Sequence, residues 1–199
     1  ASDLHITTAV TPIVRINGKL KKVGNQVLTP SETEEMASEL LTPELQEHFD
    51  QKGEVDFSYA LPGVCRFRVN VFRQRGSVGI VCRVINSNVP NFLDLHLPDI
   101  IKVFAQKTQG LLIVTGPTGS GKSTTLASIV DYINENMSKH ILTLEDPIEY
   151  LHRHKKSIVN QREIGLDSDS FAVGLRAALR QDPDVILVGE MRDLDTIRT

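Results

Sequence analysis

The chain has 199 residues, of which 40% are hydrophobic and 24% charged, and a formal net charge of −3, which is ordinary for a globular protein with a sizeable core. This acidic balance argues against a dedicated DNA- or RNA-binding protein, which usually carries a strongly basic domain or stripe. Neither an apolar run of about eighteen residues nor a signal-peptide pattern is present, so we expect a cytoplasmic protein.

The first ninety residues alternate short strand patterns with helices that carry capping signals. Residues 13–16 followed by Asn-Gly at 17–18 predict a strand entering a tight hairpin, because Asn-Gly tolerates the positive φ of such turns. The Thr-Pro-Ser-Glu run at 29–32 predicts a helix start with a reciprocal capping box. A second short helix is expected from Thr42.

Two later strands carry arginines on the face opposite their apolar side chains. In residues 66–71, Arg66 and Arg68 alternate with apolar residues, and Arg83 does so in residues 78–84, because successive strand side chains point to opposite sides. Such arginines either face solvent or contact an anion, and the pattern leaves both possibilities open.

A polar stretch at residues 86–91, punctuated by Pro90, is the predicted linker between two domains. We place those domains at 1–90 and 91–199.

The second domain repeats short apolar strands separated by helices. Leu97, Ile100, Ile101 and Phe104 mark an amphipathic helix that is expected to end before Gly110, and strands are expected at 111–114, 140–144 and 185–188. This order predicts a parallel sheet with helices on both faces.

Residues 116–123, Gly-Pro-Thr-Gly-Ser-Gly-Lys-Ser, match the phosphate-binding loop at each of its fixed positions. The predicted strand before the loop and the predicted helix after it provide the required context. Glycines let backbone amides turn toward phosphate oxygens, and the helix adds the positive end of its dipole. In such a loop Lys122 reaches the β and γ phosphates, and the Ser123 hydroxyl holds Mg²⁺.

Phosphoryl transfer also needs carboxylates near the metal and the attacking water. Glu190 follows the strand at 185–188, and Glu145, Asp146 and Glu149 follow the strand at 140–144. The carboxyl ends of strands are where ligands gather in open α/β sheets. An acidic residue at a strand end is often only a helix cap, so its position alone does not indicate catalysis. The position combined with the nearby phosphate loop favours a catalytic role for Glu149 and Glu190.

Six segments together resemble the type II/IV secretion ATPases, and the resemblance runs over nearly the whole chain. Three of them resemble the Walker A, Asp-box and Walker B motifs, at 116–125, 144–150 and 180–193. Three others resemble the type IV pilus retraction ATPases within that family, at 1–6, 66–76 and 151–163.

The resemblance implies an α/β protein with a RecA-like P-loop ATPase core, incomplete at its C-terminal part, preceded by a smaller PAS-like domain. It implies a homo-hexameric motor that hydrolyses ATP with Mg²⁺ and powers pilus retraction, or twitching motility, through an inner-membrane platform protein. Such a motor is peripheral to the cytoplasmic face of the inner membrane and is not expected to bind nucleic acid.

Carried onto this sequence, the resemblance makes Glu149 the general base and Glu190 the Walker B glutamate, with Ser123 and Glu190 as metal contacts. Arginines of the N-terminal sheet reach toward the γ-phosphate, and Arg68 and Arg83 are the candidates. The residues predicted to bind nucleotide are Gly116, Pro117, Thr118, Gly119, Ser120, Gly121, Lys122, Ser123 and Thr124.

Three alternatives stay open: an assembly or secretion ATPase of the same family, a RecA-like nucleic-acid translocase, and an adaptor that binds ATP without turnover. The chain lacks an initiating Met and ends in an apparent helix start, so we expect a longer parent chain. The family's His box would follow Thr199, so nucleotide binding without hydrolysis is one expected outcome for the 199 residues alone.

The densest basic run, at residues 152–156, is consistent with a solvated loop or with contact to a partner subunit or acidic surface.

Overall fold

The computed structural model describes residues 1–62, 64–85 and 88–199. The chain separates into two compact units, one of residues Ala1–Ile85 and one that contains the described residues from Asn88 onward. Both units combine helices with a sheet, which confirms the predicted α/β class. Of the predicted linker, residues 86 and 87 lie outside the described residues.

The first unit is built on a six-stranded antiparallel sheet. Its strands are β1 (Asp3–Ile6), β2 (Ile13–Ile16), β3 (Lys19–Lys22), β4 (Glu54–Leu61), β5 (Cys65–Gln74) and β6 (Ser77–Ile85), in the spatial order β3-β2-β1-β6-β5-β4. The predicted hairpin joins β2 to β3, with φ of 49° at Asn17 and 77° at Gly18. The hairpin prediction is therefore confirmed.

Two helices of this unit, α1 (Pro30–Leu40) and α2 (Pro43–Lys52), begin where their capping signals predict. Thr29 and Glu32 form the reciprocal capping box of α1, and the Thr42 hydroxyl caps α2. Both helices pack on the apolar face of the sheet. The buried cluster they share with it comprises Ala37, Phe49, Val55, Phe57, Val69, Val71, Val78, Ile80 and Cys82.

The second unit holds a three-stranded parallel sheet in the order β8-β7-β9. Its strands are β7 (His140–Glu145), β8 (Ile158–Glu163) and β9 (Val185–Val188), and its helices are α3 (Ile100–Ala105), α4 (Lys122–Asn136), α5 (Phe171–Ala178) and α6 (Leu194–Arg198).

Helices cover both faces of this parallel sheet, as predicted. Ile141 of β7 packs with Ile129 and Ile133 of α4 on one face. The next residue of the strand, Leu142, packs with Phe171 of α5 on the other, because neighbouring strand residues point to opposite sides.

Two predicted elements differ from the structure. Residues 111–114 form no strand, and Leu111 and Ile113 are 79% and 59% exposed. A strand persists through hydrogen bonds to a neighbour, and within the described part of the chain no strand pairs with this segment. The helix predicted to include Leu97 begins only at Ile100, and it ends at Ala105, before Gly110 as predicted.

Within the described ranges, none of the helices combines the length and apolar character that crossing a membrane requires.

Candidate functional site

The glycine-rich segment 116–121 leads directly into α4. Gly119 and Gly121 have φ of 79° and 90°, a conformation that side-chain-bearing residues rarely adopt. The sequence therefore uses glycine where the backbone must turn left-handed, and the turn ends at the first residue of the helix, Lys122.

The N-terminus of α4 differs from those of four other helices. Side chains of Thr29, Thr42, Ser170 and Asp193 cap α1, α2, α5 and α6. In α4 the cap residue is Gly121, and among the described residues no side chain caps this end. Free N–H groups and the positive end of the helix dipole are thus left for an anion.

Lys122 folds back over the loop that precedes it. Its Nζ donates hydrogen bonds to the carbonyl oxygens of Gly116 and Pro117, each at 3.0 Å. The ammonium group is therefore held beside the loop and the uncapped helix end.

The carboxyl ends of β7 and β9 bring two acidic segments together. Leu144 pairs with Val188, and the Gly189 N–H donates to the Leu144 carbonyl at 2.8 Å. A side chain at Gly189 would come within 3.2 Å of that carbonyl oxygen, so glycine permits this close approach. Glu190 follows immediately, and its carboxylate pairs with Arg192 at 2.9 Å.

Glu145, the last residue of β7, carries a partly buried carboxylate. It accepts hydrogen bonds from the Thr143 hydroxyl at 2.6 Å and from Nε2 of Gln161 at 3.1 Å. Burial raises the pKa of the Glu145 carboxyl above its ordinary value, against hydrogen bonds from Thr143, Gln161 and the Glu149 main chain that act to lower it.

These segments line one cavity of about 460 Å³. The predicted residues Lys122, Ser123, Glu149 and Glu190 all lie on its wall. Thr118, Gly119, Gly121 and Thr124 join them from the predicted nucleotide-binding set, whereas Gly116, Pro117 and Ser120 belong to the loop but not to the wall.

Three residues within the motif segments were not predicted to be site residues. Tyr150, His152 and Arg192 also line the cavity. The Tyr150 hydroxyl lies 3.1 Å from that of Thr124. Arg192 follows Glu190 by two positions, and this short separation is the sequence signal for their ion pair.

The basic run at 152–156 is not simply a solvated loop. The His152 side chain is only 3% exposed. Burial lowers the pKa of its imidazole, although the nearby Asp131 carboxylate acts to raise it. Lys155 Nζ pairs with Asp131 at 2.9 Å and with Glu135 at 2.7 Å. The run is thus fastened to α4, and part of its charge is neutralised there.

The two candidate arginines belong to the first unit, where each has a carboxylate neighbour. Arg83 Nε donates to Asp3 at 2.8 Å, and Arg68 Nε lies 3.7 Å from Asp56. Arg68 and Arg83 face each other across β5 and β6.

Across the described ranges, no cluster of three or more His, Cys, Asp or Glu side chains could hold a metal ion.

Comparison with known proteins gives consistent results. Residues 1–199 match the model of the family described as type II/IV secretion system protein. The chain is 46% identical over 198 residues to the type IV pilus retraction ATPase PilT of Pseudomonas aeruginosa, covering 100% of this chain and 58% of that protein. It is 44% identical over 196 residues to the type IV pilus ATPase PilU of the same organism, covering 98% of this chain and 51% of that protein.

A crystal structure of the pilus retraction motor PilT with bound ADP superposes with a TM-score of 0.94 at 53% identity, covering 100% of this chain and 58% of that one. The chain thus spans little more than half the length of these relatives.

Proposed function

Since the chain belongs to the type II/IV secretion system protein family, we propose that it is the nucleotide-binding part of an ATP-hydrolysing motor that powers type IV pilus retraction. The observation that carries the proposal is that one cavity is lined both by Lys122 and Ser123 of the phosphate loop and by Glu149 and Glu190 of the two acidic segments. The 46% identity to a retraction ATPase supports the choice of motor, and the bound ADP of the related PilT crystal structure supports the choice of ligand.

In this proposal the loop and the α4 N-terminus bind the phosphates of ATP. The N–H groups without a side-chain cap at the start of α4 donate to the anion, and Lys122 exchanges its bonds to two loop carbonyls for bonds to phosphate oxygens. The residues that contact nucleotide are Gly116, Pro117, Thr118, Gly119, Ser120, Gly121, Lys122, Ser123 and Thr124.

Ser123 and Glu190 would hold Mg²⁺ beside the phosphates. When bound, the ion would neutralise charge that develops on the phosphate oxygens.

The carboxylates of Glu149 and Glu190 have different proposed roles. Glu149 is exposed on the cavity wall, where it can accept a proton from the attacking water. Glu190 lies just beyond the end of β9, where its carboxylate pairs with Arg192. Arg68 and Arg83 are proposed to stabilise charge on the γ-phosphate, a role worth about 10³ to 10⁵ in rate for transition-state arginines.

The proposal extends to the whole motor. Each proposed subunit comprises a PAS-like domain at 1–90 and a RecA-like domain at 91–199. The subunits are proposed to assemble as a homo-hexamer at the cytoplasmic face of the inner membrane. The pilus platform protein is the proposed partner, and nucleic acid is not.

Complementation tests the motor assignment. The full-length protein would be expressed in a piliated bacterium that lacks its own retraction ATPase, and withdrawal of fluorescently labelled pili would be counted. We expect retraction with the unaltered protein and none with Lys122→Ala expressed at the same level. Restored pilus assembly without retraction would instead favour an assembly ATPase.

A further inference from the structure

The loop that carries Glu149 contacts one side chain of the neighbouring strand at three points. That side chain is Gln161 of β8, a half-buried residue. Its Nε2 donates to the Glu145 carboxylate at 3.1 Å and to the Tyr150 carbonyl at 2.8 Å. Its Oε1 accepts from the His152 N–H at 2.8 Å.

These three bonds fix the orientation of the amide. A primary amide offers two N–H donors and one carbonyl acceptor. Rotating it by half a turn would set its oxygen against two acceptors, the Glu145 carboxylate and the Tyr150 carbonyl, and its NH₂ against the His152 N–H. Gln161 therefore matches this loop in one orientation only.

The bonds lie on both sides of Glu149. Glu145 precedes it by four residues, while Tyr150 follows it directly. From the same face of β8, the buried Glu163 carboxylate accepts from the Ile148 N–H at 3.3 Å. Residues 145–152 are thereby attached to β8 along their length, with Gln161 making most of the side-chain bonds.

We propose that Gln161 is a positioning residue for ATP hydrolysis, holding the Glu145 carboxylate and the main chain around Glu149 against the cavity. This inference rests on the proposed function. Gln161 is not among the residues lining the cavity, so its effect on turnover passes through Glu145 and the main chain beside Glu149. The parallel register explains the arrangement, since Gln161 lies beside Thr143, which bonds the same Glu145 oxygen.

Two substitutions separate positioning from general support of the fold. Gln161→Leu keeps a similar volume but removes all three bonds, leaving a misaligned loop. We expect a loss in kcat of about 10- to 100-fold, with KM for ATP and affinity for ADP within about threefold because the phosphate loop is untouched.

Gln161→Glu tests the pH dependence of kcat, which should not change if Gln161 only supports the fold. A carboxylate at this position can accept from His152 but cannot donate to Glu145, and it places a second negative charge beside Glu145 and near Glu163. Protonation restores one donor, and the facing carboxyls then share a proton. The ratio of variant to unaltered kcat is therefore expected to rise as the pH falls from about 8 to about 6.

The matched control is Gln109→Leu, the same chemical change at an exposed position of the same unit. All proteins would be full-length, and their ATP turnover, ADP binding and thermal unfolding would be measured. Turnover of both Gln161 variants within about twofold of the unaltered protein would overturn the inference while leaving the proposed function standing. Loss of ADP binding in proportion to turnover would also overturn it. Absence of hydrolysis by the unaltered protein would overturn the proposed function and the inference together.

Discussion

The hydroxyl groups of Thr124 and Tyr150 lie 3.1 Å apart and share a hydrogen bond. Thr124 is the third residue of α4, and Tyr150 directly follows Glu149. This contact joins the phosphate-binding end of the helix to the acidic loop, so that the two parts of the proposed site are connected by side chains as well as by the sheet.

Breaking this contact should loosen the acidic loop relative to α4. We expect Tyr150→Phe and Thr124→Val each to reduce ATP turnover by the full-length protein. The double variant should lose less than the product of the two, with a coupling of about 1 kcal/mol or about fivefold. Tyr132→Phe is the control, since that hydroxyl accepts a hydrogen bond from Gln106 at the C-terminal end of α3. Fully multiplicative losses would show that the hydroxyl pair carries no coupling.

Lys122 provides a test of ligand binding alone. Removing its ammonium group in Lys122→Ala should weaken ADP binding by about 100-fold, equivalent to about 2.7 kcal/mol. Isothermal titration calorimetry would measure this, with Lys107→Ala, an exposed lysine of the same unit, as the matched control. Equal affinity in the Lys122 variant and the unaltered chain would refute the phosphate-loop assignment.

Asn134 should matter for stability, because it fastens the basic run to α4. The residue is fully buried, its Nδ2 donates to the Arg153 carbonyl at 2.7 Å, and its Oδ1 accepts from the Lys155 N–H at 3.1 Å. Asn134→Ala leaves both main-chain groups without these bonds, so we expect a loss of about 2–3 kcal/mol in the free energy of unfolding.

The control for that measurement lies on the same helix. Asn136 is exposed and bonds only the preceding turn, so Asn136→Ala should change the free energy of unfolding by less than about 0.5 kcal/mol. Similar urea-unfolding midpoints for the two variants would mean that Asn134 does not hold the run.

Asp3 should make the stability of the first unit depend on pH. The hydrogen bond from Arg83 holds the pKa of this buried carboxyl below its ordinary value, against the effect of burial. A depressed pKa contributes stability that is complete above the unfolded pKa, near 4, and is lost as the pH falls through the folded pKa.

Asp3→Asn should therefore lower the free energy of unfolding at neutral pH by about 1 kcal/mol, a modest figure because the Arg83 partner is largely solvated. The deficit should shrink below about pH 4. Asp56→Asn is the control, because its pair with Arg68 is exposed and spans 3.7 Å. A deficit that stays constant from neutral to acidic pH would contradict the role assigned to the Asp3 charge.

Local signals explain what could be predicted from sequence. The capping box at Thr29, the Asn17-Gly18 turn and the start of α4 at Lys122 each depend on a few adjacent residues. The alternating pattern of β5 and the apolar runs of β7 and β9 could also be predicted from sequence, since these patterns are strong.

Features that depend on pairing between distant parts of the chain could not be predicted from sequence. Only Ile158 and Val159 of the six residues of β8 are apolar, so its sequence gives little strand signal. Gln161 reaches Glu145 only because β7 and β8 pair in this register. Conversely, the apolar residues 111–114 have a strand-like sequence, yet form no strand where a pairing partner is missing among the described residues.

Glu149 carries the central chemical claim, and the most direct test is Mg²⁺-dependent ATP hydrolysis by the full-length protein beside Glu149→Gln, with and without single-stranded DNA. The substitution keeps the shape of the side chain but removes the base, so we expect turnover to fall by about 10²- to 10⁴-fold, with ADP affinity retained and DNA without effect. Turnover that survives Glu149→Gln, or that requires DNA, would contradict the account.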